Sequence, residues 1–307
     1  MRVLVTGASG WIGSAVVPEL IGAGHRVTAL ARSDASAAAV AAAGAEAVRG
    51  SLDDLDVLRD AAAAAEGVIH LAYKHDVAFE QGDPPAAAAA DRRAVEVLGE
   101  ALAGSGRPLV LASGTAGVAP GRVLTERDAR DAAAVARAHE GPNGRLGTAV
   151  HALGLADRGV RPSVVRLPPT VHGAGDRGFV AVLVGAARAS GVAGYLGDGG
   201  NRWPAVHRDD AARLFRLALE DAPAASVLHA VADEGVPLRA VAEAIGTRLG
   251  VPAASIAPED APGHFGFLAQ LVGADIPASS ALTRELLDWE PTGPTLLEDL
   301  AAGRYTA

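Results

Sequence analysis

Three glycines spaced three residues apart, Gly7, Gly10 and Gly13, constrain what the start of this chain can form. They follow a short apolar run at residues 2–5 and lead into a stretch, 12–23, that is predicted to be helical. Gly7 permits a tight turn, Gly10 lets backbone N–H groups approach a pyrophosphate, and Gly13 lets the helix pack closely on the strand. The start of the helix adds partial positive charge. The pattern predicts a dinucleotide site, the alternative being a glycine-rich turn without a ligand.

Composition narrows the classes of protein that fit. The chain has 307 residues, half of them hydrophobic and 4% aromatic, so Ala, Val and Leu must fill a large core. It has no cysteine and its histidines are dispersed, so we expect neither disulfides nor a metal site. A net charge of −9 argues against nucleic acid as a partner. With no leader before the first strand and no apolar run of membrane length, we expect a cytoplasmic protein without a membrane partner.

Apolar runs alternate with Ala-rich helical stretches over the first 170 residues, which predicts an α/β fold with a doubly wound parallel sheet. The predicted strands are 2–5, 26–30, 46–49, 67–71, 108–112 and 163–167. The predicted helices are 12–23, 35–43, 54–64, 86–103, 145–158, 177–190, 209–220, 238–249, 280–287 and 294–302. We expect a dinucleotide-binding Rossmann domain at 1–167. A smaller, mostly helical substrate-binding part would follow at 168–307, with some segments returning to the sheet.

The end of the second predicted strand indicates which dinucleotide is bound. Many NAD binders carry an acidic residue there, which hydrogen-bonds the ribose hydroxyls. Ala31 takes that place here, followed by Arg32 and Ser33. A guanidinium and a hydroxyl hold a 2′-phosphate, whereas a carboxylate would repel one. We therefore expect NADP to be preferred over NAD, with Asp34 capping the next helix.

The chain resembles the NAD-dependent epimerase/dehydratase branch of the extended short-chain dehydrogenase/reductases in six segments, taken in order. They are TGASGWIGSAVVPEL (6–20), GSLDD (50–54), VIHLAY (68–73), VVRLPPTVHGAGD (164–176), WPAVHRDDAARLFRLALE (203–220) and TRELLDWEPT (283–292). The resemblance implies a Rossmann fold, and it implies that Asp53 lies near the adenine. The cofactor contacts expected in this way are Gly7, Ser9, Gly10, Trp11, Ile12, Gly13, Asp53, Leu71, Ala72, Arg145 and Pro168, in addition to Arg32 and Ser33.

The chain departs from the family's usual Tyr-x-x-x-Lys motif, in which the tyrosine exchanges a proton and the lysine lowers its pKa. None of its three tyrosines has a lysine four residues on, and Lys74 is the only lysine. Counted back from Arg166, the tyrosine position of the motif is taken by Gly141 and the lysine position by Arg145. The chain therefore resembles an atypical subgroup of the family that lacks this motif. Arg145 can hold ribose hydroxyls or orient a substrate oxygen, but a guanidinium does not exchange protons near neutral pH. The alternative is an exposed charge at a helix start.

Hydroxyls after the fifth strand are candidates for orienting a substrate oxygen. Ser113 and Thr115 occupy the place that the family uses for this purpose; alternatively, their hydroxyls satisfy backbone groups at a strand end. The proton then needs another source. The candidates are His172, which stands where the family often has tyrosine, Tyr73, whose pKa the adjacent Lys74 would lower, and an ordered water.

Two further segments are candidate substrate contacts. Tyr73 and His75 follow the fourth strand, at the edge of the sheet where ligands bind in such folds. Arg202 and Trp203 lie in a glycine-rich segment that can close over a substrate, the guanidinium meeting an oxygen and the indole an apolar face. The alternative for this segment is a tight turn anchored by a tryptophan in the core.

These observations predict an NAD(P)-dependent oxidoreductase that acts on a carbonyl or hydroxyl carbon of a small-molecule substrate. The resemblance implies a monomer or a homodimer, the latter formed through helices 86–103 and 145–158. Two alternatives stay open. One is a catalytically silent dinucleotide-binding redox sensor, and the other is a nucleotide-sugar epimerase or dehydratase, which the missing tyrosine weakens.

Overall fold

The computed structural model describes residues 1–116, 118, 121–129 and 144–305. Its main sheet has seven parallel strands in the order β10-β6-β5-β4-β1-β2-β3, the arrangement of a doubly wound Rossmann fold. The strands are β1 (Arg2–Thr6), β2 (Arg26–Ala31), β3 (Glu46–Arg49), β4 (Gly67–His70), β5 (Pro108–Gly114), β6 (Arg161–Leu167), β7 (Thr170–His172), β8 (Ala193–Leu196), β9 (Arg202–His207), β10 (Ser226–His229), β11 (Asp233–Pro237) and β12 (Ala253–Ile256).

Helices cover both faces of this sheet, and others belong to the C-terminal part. The helices of the described residues are α1 (Gly13–Gly22), α2 (Asp34–Ala42), α3 (Leu55–Ala64), α4 (Pro84–Leu102), α5 (Gly144–Gly154), α6 (Phe179–Ser190), α7 (Arg208–Asp221), α8 (Leu238–Leu249), α9 (Ala261–Phe265), α10 (Ala269–Val272), α11 (Ala281–Leu287) and α12 (Leu296–Ala301). Helices α1 and α7 pack on one face through Val16, Leu20 and Phe215. Helices α3, α4 and α5 pack on the other, where Leu58 and Leu98 are fully buried.

The predicted α/β class and parallel sheet are confirmed, and each of the six predicted strands matches an observed one to within two residues at either end. Strand β10 is a late segment that returns to the sheet, where it pairs in parallel with β6. The prediction that Asp34 caps the second helix is wrong. Ser33 is the N-cap, because its hydroxyl oxygen accepts a hydrogen bond from the N–H of Ser36 at 3.1 Å, and Asp34 is the first helical residue.

The C-terminal part adds two small sheets to its helices. One has the order β11-β9-β7 and the other pairs β12 with β8. Helices α6, α8 and α9 pack on these strands around a second core. Within the described residues, no helix is both long and apolar enough to cross a membrane. Gly141 lies outside the described residues.

Candidate active site

Backbone geometry explains the three glycines of the first turn. Gly7 has a φ of +71°, and a Cβ there would lie 2.7 Å from the backbone nitrogen of Ala72. A Cβ on Gly13 would collide with the carbonyl oxygen of Gly7 and lie 2.6 Å from Cα of Ala8. The N–H of Gly10 donates to the same Gly7 oxygen at 3.0 Å. The turn in front of helix α1 is thus packed so closely that a side chain at Gly7 or Gly13 would collide with neighbouring backbone atoms.

A cavity of about 950 Å³ opens from this turn along the carboxyl ends of the parallel strands. Its size is at the upper end of the range for small-molecule sites. The glycine turn, the strand ends and the C-terminal part all contribute to its wall. Of the predicted site residues, the cavity is lined by Ser9, Gly10, Trp11, Ile12, Leu71, His75, Ser113, Arg145 and Pro168.

The two predicted hydroxyls lie in different surroundings. Ser113 lines the cavity, and its side chain makes no hydrogen bond within the described part of the chain. Thr115 is buried beside it and does not line the cavity, and its hydroxyl has no partner among the described residues. The N–H of Thr115 donates to the carbonyl oxygen of Leu167 at 3.0 Å, which ties the ends of β5 and β6 together. Ser113 is therefore the hydroxyl that a ligand can reach.

Arg145 reaches the cavity from the first turn of helix α5. Its Nη2 donates to the carbonyl oxygen of Ala112 across 3.4 Å, and its guanidinium carbon lies 4.6 Å from the centre of the Tyr73 ring. Its buried Nε has no hydrogen-bond partner in the described residues. Burial lowers the pKa of the guanidinium, but an arginine side chain stays charged near neutral pH. Arg145 is a cation held against an aromatic face, and it contacts Ala112, the residue before Ser113.

Tyr73 does not have the activated hydroxyl predicted from its neighbour. Burial raises the pKa of Tyr73, and the nearby Arg145 only partly opposes this. Lys74 points elsewhere, because its Nζ lies 2.6 Å from Oδ2 of Asp53. The ring of Tyr73 packs edge-on against His75, with 5.1 Å between ring centres, and does not itself line the cavity. Burial lowers the pKa of His75, which keeps its imidazole neutral at pH 7.

The structure corrects the prediction for His172. This side chain is fully buried, and its Nδ1 lies 2.7 Å from Oδ2 of Asp299, a residue of helix α12. It is not among the residues that line the cavity within the described chain. Strand β7 turns this side chain toward α12 and away from the strand ends, so His172 holds the C-terminal helix in place and reaches no ligand in the cavity.

The predictions for Arg202 and Trp203 are also corrected. Trp203 is 1% exposed inside the second core, with its ring centre 6.3 Å from that of Phe179. Arg202 forms a two-pronged ion pair with Asp275, at 3.0 Å from Nε and 2.9 Å from Nη2. Both residues belong to strand β9, which is a core strand of the small sheet, so the alternative of a core tryptophan is the one observed.

At the predicted adenine end, Arg32 is exposed and Ser33 is engaged in the helix cap. Nη1 of Arg32 lies 3.1 Å from Oδ2 of Asp76, and both groups are open to solvent, so this ion pair contributes little. The hydroxyl of Ser33 already donates to Oγ of Ser36. Arg32 is free to turn toward a phosphate, whereas Ser33 would have to give up its capping contacts.

Sequence reasoning missed the residues that the C-terminal part brings to the cavity. Phe179 and Phe267 line it, with ring centres 6.2 Å apart. Arg208 stacks on Trp11 of the glycine turn, its guanidinium carbon 4.5 Å from the ring. The chain has only five phenylalanines, and this rarity is the one sequence signal that could have marked these two as candidate ligand contacts.

The fold and the cavity define a nucleotide-binding protein of the short-chain dehydrogenase type. The profile of the NAD dependent epimerase/dehydratase family matches residues 3–229, and the chain belongs to this family. It is 46% identical over 306 residues to an uncharacterized protein of Schizosaccharomyces pombe, covering 99% of this chain and 100% of the relative. An uncharacterized protein of Saccharomyces cerevisiae is 44% identical, covering 98% of each chain.

A solved structure shares the fold over nearly the whole chain. The crystal structure of gox2253 has a TM-score of 0.77 at 21% identity, covering 98% of this chain and 96% of the other. MoeE5, solved in complex with UDP-glucuronic acid and NAD, has a TM-score of 0.69 at 24% identity over 98% of this chain and 97% of its own. At identities of 21% and 24%, the similarity to these two structures establishes the fold alone.

Proposed function

We propose that this protein is an NAD(P)-dependent oxidoreductase acting on a carbonyl or hydroxyl carbon of a small molecule. The observation that carries the proposal is the continuous cavity, which joins the glycine turn to the accessible hydroxyl of Ser113 and the guanidinium of Arg145. Membership of the NAD dependent epimerase/dehydratase family supports it. In this proposal residues 1–167 bind the dinucleotide, and residues 168–307 complete the substrate side.

The turn at Gly7, Gly10 and Gly13 fits a pyrophosphate, because the close backbone packing at Gly7 and Gly13, which a Cβ would prevent, places the start of helix α1 directly behind the turn. At the start of α1 the N–H groups of Ser14 and Ala15 already donate to the oxygens of Gly10 and Ile12, at 2.9 and 3.0 Å, but those of Ile12 and Gly13 have no partner among the described residues and can meet an anion. When bound, the nicotinamide supplies or accepts the hydride. We further propose that Arg32 holds the 2′-phosphate and makes NADP the preferred dinucleotide, with NAD the weaker ligand.

The remaining predicted cofactor residues surround this turn. Leu71 and Pro168 line the cavity wall, and the N–H of Ala72 donates to Oγ1 of Thr6 at 3.2 Å, which fixes the chain behind Gly7. Asp53 is proposed to face the adenine, where its ion pair with Lys74 sets the position of the carboxylate.

At the substrate oxygen, the chain offers a donor and a cation. The hydroxyl of Ser113 donates a hydrogen bond to the oxygen, and the charge of Arg145 stabilises the negative charge that develops there during reduction. Arg145 does not give up a proton, and Tyr73 lies outside the cavity wall with a raised pKa. The proton that completes the alcohol therefore comes from ordered water in this proposal, beside the neutral imidazole of His75.

The alternative of a nucleotide-sugar epimerase or dehydratase is less well supported by the cavity. Some proteins of this fold, such as MoeE5, are described with UDP sugars. In this chain, however, none of Tyr73, Tyr195 and Tyr305 is among the described residues that line the cavity. An epimerase or dehydratase reaction that oxidises the sugar with the help of a tyrosine thus lacks that tyrosine in the described cavity wall. The oxidoreductase is the better proposal.

Titration of the purified protein with NADPH and NADH, followed by nicotinamide fluorescence, tests the proposal. We expect saturable binding of both, tighter for NADPH, and oxidation of the cofactor with some members of a ketone and aldehyde panel. Binding without turnover across a broad panel would favour the redox sensor. Failure to bind either dinucleotide would refute the proposal.

A further inference from the structure

Among the described residues, Arg145 is a cation of the cavity wall that has no anionic partner. No carboxylate of the described residues lies within 4.0 Å of its guanidinium, although Asp91 is close enough to influence its pKa. The guanidinium has one long hydrogen bond, to the oxygen of Ala112, and the face of Tyr73. A partly desolvated charge with so few partners is costly unless a ligand completes its surroundings.

Of the other charged groups of the cavity, Arg208 and Asp176 are already engaged, and Arg177, which also lines it, is exposed to solvent. Arg208 stacks on Trp11 of the glycine turn, and its Nε lies 3.3 Å from Oδ1 of Asp209. Asp176 accepts hydrogen bonds from the N–H of Gly178 and the hydroxyl of Tyr305, at 2.6 and 2.8 Å. Arg145 is therefore the half-buried cation of the cavity that lies beside the Ser113 strand end, whereas water screens the charge of the exposed Arg177.

The position of Arg145 relative to Ser113 restricts where that anionic group lies. The Nη2 atom is 3.4 Å from the carbonyl oxygen of Ala112, the residue just before Ser113. A substrate whose oxo oxygen accepts from Ser113 can reach the guanidinium with a carboxylate on the adjacent carbon. A carboxylate also matches the forked geometry of a guanidinium, which binds two oxygens at once.

The apolar side chains that line the cavity indicate the rest of the substrate. Phe179, Phe267 and Val182 line it, and Phe267 is 64% exposed despite its place on the wall. A large exposed apolar side chain beside a cavity marks a ligand-binding surface. An apolar substituent of aryl or branched-alkyl size would cover this ring and the edge of Phe179 together.

We propose, building on the oxidoreductase function above, that the cavity selects 2-oxo acids with a bulky apolar side chain. Arg145 binds the carboxylate, Ser113 donates to the oxo oxygen, and Phe179 and Phe267 enclose the side chain. Reduction would add hydride to the oxo carbon and a proton to its oxygen, giving the 2-hydroxy acid and the oxidised dinucleotide.

Calorimetric binding of phenylpyruvate and of its uncharged methyl ester tests this assignment without turnover. Both are titrated into the protein saturated with NADP⁺, which cannot reduce them. We expect the acid to bind at least about 30-fold more tightly than the ester in the wild type. Arg145→Met should weaken the acid about 100-fold and the ester less than about threefold, while Arg145→Lys should retain most of the preference. Phe267→Ala is the matched control, since it should weaken acid and ester equally.

The outcomes separate this inference from the proposed function. Equal affinities for acid and ester, or an unchanged ratio in Arg145→Met, would overturn the inference while dinucleotide binding stood. Loss of NADP⁺ affinity in Arg145→Met with the ratio intact would place Arg145 at the cofactor, and would also overturn it. If the wild type bound no dinucleotide, the proposed function would fail, and the acid–ester comparison on the free protein would still decide the role of Arg145.

Discussion

Replacing Gly13 by alanine tests whether close contact between helix α1 and the glycine turn is what forms the dinucleotide site. The added Cβ would collide with the oxygen of Gly7 and lie 2.6 Å from Cα of Ala8, and neither backbone atom can rotate away. Reaching an ordinary contact of about 3.4 Å requires the helix or the turn to move by roughly 1 Å. Forced overpacking of this kind costs about 3 kcal/mol. The better helix propensity of alanine returns about 1 kcal/mol, which leaves a net loss of about 2 kcal/mol.

Gly22→Ala, at the other end of the same helix, is the matched control. A Cβ at Gly22 has nothing within 4 Å, so this variant should be as stable as the wild type or more stable by up to about 1 kcal/mol. Thermal unfolding and the fluorescence Kd for NADPH are measured on both variants. We expect Gly13→Ala to unfold at a lower temperature and to bind NADPH at least about tenfold more weakly. Equal stabilities and equal Kd values for the two variants would refute the reasoning.

Four further predictions follow from single contacts. Arg32→Ala should reduce the preference for NADPH over NADH about tenfold, measured as a ratio of Kd values; an unchanged ratio would remove Arg32 from the phosphate site. Ser113→Ala should lower kcat/KM about 100-fold without changing the Kd for NADPH, and a full-rate variant would contradict its role. His172→Ala should cost about 2 kcal/mol of stability, because it removes the ring that faces Oδ2 of the buried Asp299, whose Oδ1 still pairs with Arg304 at 2.9 Å, while the folded variant keeps the wild-type kcat. Burial lowers the pKa of His229 to about 4 from an ordinary 6.5. As the pH drops, the unfolded chain therefore binds this proton before the folded protein does. The free energy of unfolding should fall between about pH 6.5 and pH 4, by up to about 3 kcal/mol. His229→Gln should flatten that part of the stability curve, and an unaltered curve would argue against the shift.

Local sequence predicted the framework closely because each element carries its own periodic signal. Continuous runs of Val, Leu and Ile identified the central strands, since both faces of a parallel sheet are buried. The glycine spacing located the first turn, since only a residue without a Cβ fits at Gly7 and Gly13. The position after β5 was enough to select Ser113, because the carboxyl ends of parallel strands meet at one edge.

The structure alone decided which polar side chains face the cavity. His172 pairs with a residue 127 positions away, and Arg202 with one 73 positions away. Nothing local in either segment distinguishes an ion pair within the protein from a substrate contact. The same holds for Tyr73, where an adjacent lysine suggested activation but the side chain of that lysine turns to Asp53.

The sequence by itself therefore determined the α/β architecture, the dinucleotide-type turn and one accessible hydroxyl. The tertiary structure decided that Arg145 has no carboxylate partner within the described part of the chain, that Trp203 belongs to the core, and that Phe267 reaches the cavity wall. The physical reason is the distance along the chain over which each interaction acts. Backbone periodicity and glycine conformation are set by neighbours a few residues apart, whereas the burial and partners of a side chain depend on the packing of segments that meet only when the chain is folded.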